Sequence, residues 1–572
     1  MSAEPLSRRT AGLLLAVLTL FAFGVRMRGL DSELPHYTQS DGLILAGQVR
    51  RGRTGEEPTA AYGRAARTYP HLLSKLVLLL PDRGRHGPTE GLTEQQHAAL
   101  ASTIWMDLRR MSVWTGTLLV PLTYALARLF LARGPSLFAA AAIATSLLHT
   151  SLSQMERPHA AAATLAILAV LAAARLARRP TAGSFVLAGA AAALAIGALH
   201  SGVAVLLPLG AAFLLSRRRP QRAPWWWILI GLAIVAVAVR WLYPFSFERG
   251  AAGAGPEGLN LSGHQLLRKD FDGSGFLRVL GTMYSYEPVL LLLSVCGGAA
   301  ALVAFAKRSA PLAAGFRRNL LVAGSYAVPY FLALGIYAQI FERFVLQLLP
   351  FFACLSAYGV GRVLRGRGRI AGAVTGALLL ALPTALVWKL GSVRAAPDTV
   401  ERAAAWLEAH VDGEREPVYV LPYLTFPLFY GPQSLERNWR ASQHTMWLEY
   451  QRELEPGEWT GPRFEIFHPR GKRAMIDALA EDPLEYYVER GARYVVIQQV
   501  GEGFKVRALP DTRDALRARA ERVLRVSPMA VDDGAADSVG TRYLRNVLEM
   551  PYALHLWRAR CTGPTLEIYR LP

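Results

Sequence analysis

The sequence predicts a mostly α membrane protein, a polytopic helical bundle followed by a smaller extracytoplasmic α/β domain. Three observations predict it: repeated apolar runs of spanning length, a Lys and Arg content that alternates from one connection to the next, and a change of composition near residue 392. Of the 572 residues 52% are hydrophobic, which several runs of about twenty apolar residues explain better than one oversized soluble core.

The chain has 63 Lys+Arg against 43 Asp+Glu, a net charge of +20. These charges cluster between apolar segments, where they hold loops at a membrane face and meet anionic lipid. No basic stripe is interleaved with aromatics, so a nucleic-acid partner is not expected. Three cysteines make no disulfide framework. Cys296 and Cys354 lie in apolar runs and Cys561 stands alone, so all are read as free thiols.

Apolar windows run over 10–27, 111–132, 135–152, 157–176, 182–199, 201–216, 224–244, 286–306, 319–338, 343–364 and 370–391, about eleven crossings. The first resembles a signal peptide but is followed by no small-residue cleavage site, and is read as a retained helix. With a cytoplasmic N-terminus, Arg8 and Arg9, Arg133, the Arg175 to Arg179 set, the Arg217 to Arg222 run, the Lys307 to Arg318 group and the Arg362 to Arg369 set share the inner side. That places the C-terminal domain outside.

Between the first two crossings lies a polar loop, about 27–81, containing RGLDSELPHYTQSDGLILAGQVRRG and RTYPHLLSKLVLLLP. HLLSKLVLLL is too short to span and reads as interfacial. A second outside loop begins at Ser246 with GAAGAGPEG and continues into the more structured HQLLRKDFDGSGFLRVL. Residues 1–392 form the membrane domain and 393–572 the soluble one, whose size of about 180 residues is ordinary for a domain. Within it DTVERAAAWLEAHV is a helix capped by Asp398 or Thr399, PVYVLP and ARYVVIQQ are strands, PLEYYVERG is a helix with a glycine stop, and LEIYRLP is a closing strand.

Ionisable side chains at the outer ends of membrane helices are costly there and so are functional candidates. They are Asp41 in its loop, Glu156, Arg157 and His159 in SLSQMERPHAAA, His200 in GALHSGVAVLLP, and Glu342 with Arg343 in YAQIFERFVLQLLPFF. Each has a plainer reading. Asp41 could cap the helix DGLILAGQVRRG, Arg157 and Arg343 could snorkel to headgroups, Glu156 could pair at a helix end, and His200 could be a packing histidine. No H-E-x-x-H, C-x-x-C or P-loop pattern supports zinc hydrolysis or nucleotide-driven transport.

The order of these phrases resembles the bacterial lipid-linked-sugar glycosyltransferases of the GT-C fold, related to protein O-mannosyltransferases and aminoarabinose transferases. RMRGLDSELP looks like the end of their first helix, SDG like their acidic loop, TYPHLL like their Tyr-Pro phrase, and ERFVLQLLPFF like their Arg-Tyr helix. DTVERAAAWLEAHV, GARYVVIQ and GPTLEIYRLP look like their soluble part. The sequence departs from the pattern at Gly42, where Glu is usual, at His159, where an acid often follows Arg-Pro, at His200, where Lys is common, and at Phe344 and Gln347, in place of Tyr and Pro.

The resemblance implies a GT-C-like bundle in a bacterial inner membrane and an inverting transfer from a polyprenyl-phosphate sugar to an envelope glycan, lipid or protein acceptor. Asp41 would be the general base. Arg343 and Arg157 would bind donor phosphate, with His200, Glu156, His159 and Tyr69 also on the substrate side. No cofactor is required; a divalent metal is compatible but has no ligand cluster in the sequence. Two rival readings are a lipid or polysaccharide transporter, which leaves the large outside domain unexplained, and a non-catalytic scaffold, motivated by Gly42 and His159.

Overall fold

The computed structural model describes residues 6–36, 40–55, 69–82, 91–217, 226–243, 259–261, 264–307, 314–365, 368–421, 424–440, 445–455, 457–468, 482–499, 509–534, 538–539 and 552–572. The glycine-rich run 250–258 lies outside them.

Six described helical runs are long and apolar enough to cross a membrane: Arg8–Met27, His159–Arg178, Pro288–Ala306, Gly315–Ile336, Glu342–Val363 and Ile370–His410. A seventh is the pair Arg133–Ala144 and Leu147–Ser153, bent by 52°. The chain is a multi-pass membrane protein. The expected eleven crossings need in addition Thr103–Thr117 with Leu119–Ala127, and the shorter apolar helices Ala182–Ala198, His200–Ser216 and Trp227–Leu242.

The His159–Arg178 helix is central, with 78% of its apolar window buried against 17% for Pro288–Ala306. Its sequence HAAAATLAILAVLAAARLAR gives the reason: alanines let neighbouring helices approach closely. The bend at Thr145 and Ser146 leaves backbone groups open at membrane depth, and side chains close them. Ser146 Oγ takes the His149 N–H, while Glu287 Oε1 accepts from Ser146 Oγ at 2.6 Å and from Leu148 N at 2.8 Å.

The first loop folds into two short helices packed on the Thr103–Thr117 helix. Leu45, Ala46 and Val49 of the Ser40–Thr54 helix pack on Leu73 and Val77 of the short Leu72–Val77 helix and on Trp105, Leu108 and Met111. The first helix is tied to the last through Gly29, at φ +67°, where a Cβ would lie 2.7 Å from Arg394 Cβ. The connection that begins at Ser246 holds a hairpin, Leu259–Leu261 with His264–Leu266, and then the Gly275–Tyr286 helix.

Beyond Arg394 the chain builds a mixed sheet ordered Ile466–Phe467, Val418–Leu421, Tyr494–Gln499, Gly563–Arg570, Glu521–Val526. The first three strands are parallel and Gly563–Arg570 runs antiparallel to both its neighbours. Asp398 caps the Thr399–His410 helix in a capping box with Glu401. Gly491, at φ +69°, follows the Pro483–Val488 helix.

This soluble part rests on the first loop. The Glu94–Ala101 helix sends His97 to the Tyr450 hydroxyl at 2.7 Å, and Arg50 donates to Glu449 at 3.0 Å. Ala553, Leu556 and Ala559 of its last helical segment join the core of the membrane helices.

Candidate active site at the outer helix ends

The geometry begins with Arg109, which neither its neighbour Arg110 nor the hydropathy windows distinguish. It is 5% exposed and lies on the Thr103–Thr117 helix. Its Nε donates to Glu156 Oε2 at 2.8 Å, and its Nη1 donates to the carbonyls of Leu30 and Ser32, both at 2.8 Å. One guanidinium thus fastens the start of the first loop to the turn before the central helix. Charge-assisted bonds of this kind are the strong ones.

Glu156 in turn supports the Ser40–Thr54 helix. A Cβ on Gly42 would lie 2.3 Å from Glu156 Cγ and 3.0 Å from Glu156 Oε1. Only a glycine permits that approach, so the residue that departs from the family pattern is explained by a carboxylate arriving from another segment. Asp41 precedes it, in the first turn of the helix, where the helix dipole favours an anion. The Asp41 side chain itself lies outside the described residues.

Across the same turn are the other charges. Arg157 is half-buried and His159, at the first position of the central helix, is buried. The charges of Arg157 and Arg343 both act on His159 and on Glu342. The Arg343 guanidinium stands 4.2 Å from the Phe341 ring centroid and 5.3 Å from that of Phe344, whose ring is 6.0 Å from His159. Phe344 therefore fills the space between an arginine and a histidine. Gln347 is 2% exposed, accepts from the Tyr326 hydroxyl and donates to Ser201 Oγ at 2.9 Å, so it joins three helical segments where a proline could join none.

Tyr69 and His200 belong to an adjoining wall. The Tyr69 carbonyl accepts from Gln48 at 3.5 Å, and the His71 N–H donates to the Leu242 carbonyl at 3.1 Å. His200 opens the 3-10 turn His200–Val205 with its ring 4.8 Å from Tyr243, beside Leu72, Ala162, Ala198 and Leu242. The structure thus gathers Glu156, Arg157, His159 and Arg343 with the helix start that carries Asp41, and sets Tyr69 and His200 to one side. The plainer reading pairs Glu156 with its neighbour Arg157; the ion pair that the structure shows for Glu156 is instead with Arg109, from another helix.

A second layer of buried polar groups lies behind this face. Arg26 is fully buried; it donates to the carbonyls of Ala22 at 2.9 Å and Ile143 at 3.1 Å and lies 3.0 Å from His149 Nδ1. Gln154 donates to the carbonyls of Arg26 and Arg28 and accepts from Arg394 at 2.5 Å. Buried networks of this kind fix one arrangement of the elements that share them.

One described cluster has metal-ligand composition: His36, Asp398 and Glu401, with ligand atoms within 4.8 Å of one another. Several of its ligand atoms are bonded within the protein. Asp398 Oδ1 caps Val400 N and Glu401 N, Asp398 Oδ2 lies 2.8 Å from His36 Nε2, and Glu401 Oε2 accepts from Asp398 N at 3.0 Å. These bonds make the set a latch between the first loop and the C-terminal part. Burial pushes the His36 imidazole down, but Asp398, with Glu401 and Glu33 near it, raises it above the ordinary histidine value.

The latch contribution is then complete below about pH 6.5, the ordinary value, and is lost as pH rises through the raised one. The gap in thermal midpoint between wild type and His36→Gln is expected to be widest in mild acid and to narrow above neutrality. A gap of the same size at every pH would show that charge has no part in the latch.

No model of a known protein family matches the sequence, and no curated protein matches it. Solved structures do. The chain is similar to ArnT from Cupriavidus metallidurans bound to undecaprenyl phosphate, with 13% identity and a TM-score of 0.49 over 98% of both chains. It is also similar to the archaeal oligosaccharyltransferase AglB from Archaeoglobus fulgidus in complex with an inhibitory peptide and a dolichol-phosphate, at 13% identity and TM-score 0.45 over 94% of this chain and 75% of that one. A third is the arabinofuranosyltransferase AftD from Mycobacteria, at 17% identity and TM-score 0.44, where the match takes in all of this chain and 40% of the other.

Proposed function

We propose that this chain is a GT-C fold glycosyltransferase that moves a sugar from a polyprenyl-phosphate donor to an acceptor on the outer face of a bacterial inner membrane. The N-terminus is then cytoplasmic, the chain crosses about eleven times, and residues 393–572 stand outside. The observation that carries the reading is the packing of Gly42 on an Arg109-held Glu156, next to Arg157, His159 and Arg343. On this reading the helix start that carries Asp41 and the guanidinium groups of Arg157 and Arg343 share one polar face between apolar helices. A sugar phosphate needs that combination.

In this reading Asp41 takes the proton from the acceptor hydroxyl as its oxygen attacks the anomeric carbon. The bond to the phosphate oxygen breaks on the opposite side, so the anomeric configuration inverts. The departing polyprenyl phosphate carries the growing negative charge, which cations fixed beforehand stabilise. Arg343 and Arg157 suit that task, since guanidinium stays charged away from water and binds phosphate oxygens in pairs. The lipid phosphate already activates the sugar, and no nucleotide enters. Tyr69 and His200 line the route by which donor or acceptor reaches this face.

Arg343→Ala is expected to raise the apparent KM for a labelled polyprenyl-phosphate sugar by about ten-fold or more, the loss of one charge-assisted contact. A donor KM equal to wild type removes Arg343 from the phosphate site. The reading as a whole is tested in cells: deletion should remove one sugar from an envelope glycan, glycolipid or glycoprotein. An unaltered envelope would refute it.

A further inference from the structure

The last membrane helix, Arg369–Arg394, is little covered by protein, with 11% of its apolar window buried. Most of its outer surface is a plain lipid-facing stripe, Ile370, Val374, Leu378 and Leu382. At the end nearest the soluble part the surface changes character. The short Tyr552–Arg558 helix comes down beside it, anchored by the Tyr552 N–H donating to Ser285 Oγ at 2.8 Å and by the Tyr552 ring stacked on Tyr286 at 4.7 Å. Between the two helices is a groove of about 670 Å³ whose walls include Leu380, Thr384, Trp388, Lys389 and Trp557.

The groove is apolar along its length and cationic at its head. Trp388 and Trp557 are 57% and 54% exposed, as tryptophans at a membrane boundary are. Lys389 lies beside them in the wall, and the Arg28 guanidinium covers Trp388 at 4.5 Å from its ring centroid. No acidic residue lines the groove among the described residues. An anionic headgroup above an acyl chain meets both halves of the surface.

We propose that this groove seats one anionic phospholipid, its chain between the Arg369–Arg394 and Tyr552–Arg558 helices and its phosphate beside Lys389 and Arg28. The lipid bridges the membrane bundle and the C-terminal part where the latter lies along a lipid-facing helix, and so fixes the angle between them. This assignment is independent of the sugar-transfer reading, because no residue of the groove belongs to that face.

The test uses the full chain purified in neutral detergent, with lipid retention read by native mass spectrometry and the thermal midpoint read in parallel. Phosphatidylglycerol added to the micelles is expected to bind saturably at one copy and to raise the midpoint, while phosphatidylcholine does neither. Lys389→Gln should weaken the apparent affinity about five-fold, the worth of one cation near an anionic surface, and Trp557→Ala should weaken it through the other wall. Glycerol phosphate, which has the headgroup and no chain, should leave the midpoint where it was. Equal effects of the two phospholipids, an effect of glycerol phosphate alone, or undiminished binding by both variants would each overturn the assignment.

Discussion

Asp41→Asn is expected to insert and fold as wild type and to lose transfer by about 10²–10⁴-fold, the usual contribution of a positioned general base. The substitution separates the two readings of this residue. A protein in which Asp41 only favours the start of the Ser40–Thr54 helix through its charge would lose about 0.3–1 kcal/mol of stability and no turnover. A base that must accept a proton cannot be replaced by an amide. The Gly42 contact with Glu156 and the bonds of Arg109 do not involve the side chain changed, so the face itself survives the substitution. Transfer by Asp41→Asn at the wild-type rate, measured with a labelled polyprenyl-phosphate sugar in membranes, would take Asp41 out of the mechanism.

The largest loss of stability is expected at Arg109. Glu156 is fully buried, and Arg109→Ala takes away the guanidinium bonded to its Oε2 as well as the donor shared by the Leu30 and Ser32 carbonyls. Breaking a buried pair by removing one partner costs about 3–5 kcal/mol, because an uncompensated charge stays behind. Replacing both partners removes that charge. The double variant Arg109→Met with Glu156→Met should therefore unfold later on heating than Arg109→Ala alone, while its transfer stays low because the support beneath Gly42 has gone. A double variant less stable than the single one would mean that the pair is not what holds the loop.

Much of the architecture was legible because membrane and sheet physics write themselves into short stretches. The alanine-rich window before Arg178 told of a helix, the Asp398 capping phrase marked the start of Thr399–His410, and ARYVVIQQ became the Tyr494–Gln499 strand. Glu156, Arg157, His159 and Arg343 could be chosen in advance because charge is expensive at the end of a membrane helix. Arg109 was passed over although the same rule covers it: the apolar window opened at 111, and nothing local separates it from Arg110. Its role depends on Leu30, Ser32 and Glu156, residues 79, 77 and 47 positions away.

The packing at Gly42 is hidden from the sequence for a related reason. In sequence that glycine reads as the loss of an acid, and only the fold reveals that Glu156 occupies the room a side chain would need. Arg26, Gln154 and Arg394 were invisible in the same way, since their bonds run between the first, third and last membrane segments. Pairing across that distance leaves no periodic trace. The solvated Lys and Arg of the connections, by contrast, follow a rule that needs no tertiary structure.

The most direct trial of the central claim places purified wild-type protein in liposomes whose outer leaflet carries a labelled polyprenyl-phosphate sugar, together with an envelope extract as acceptor. Label leaving the lipid for the extract, with free polyprenyl phosphate formed in equal amount, is the result predicted. Label that crosses the bilayer still attached to its lipid, or that stays where it was put, would contradict the account.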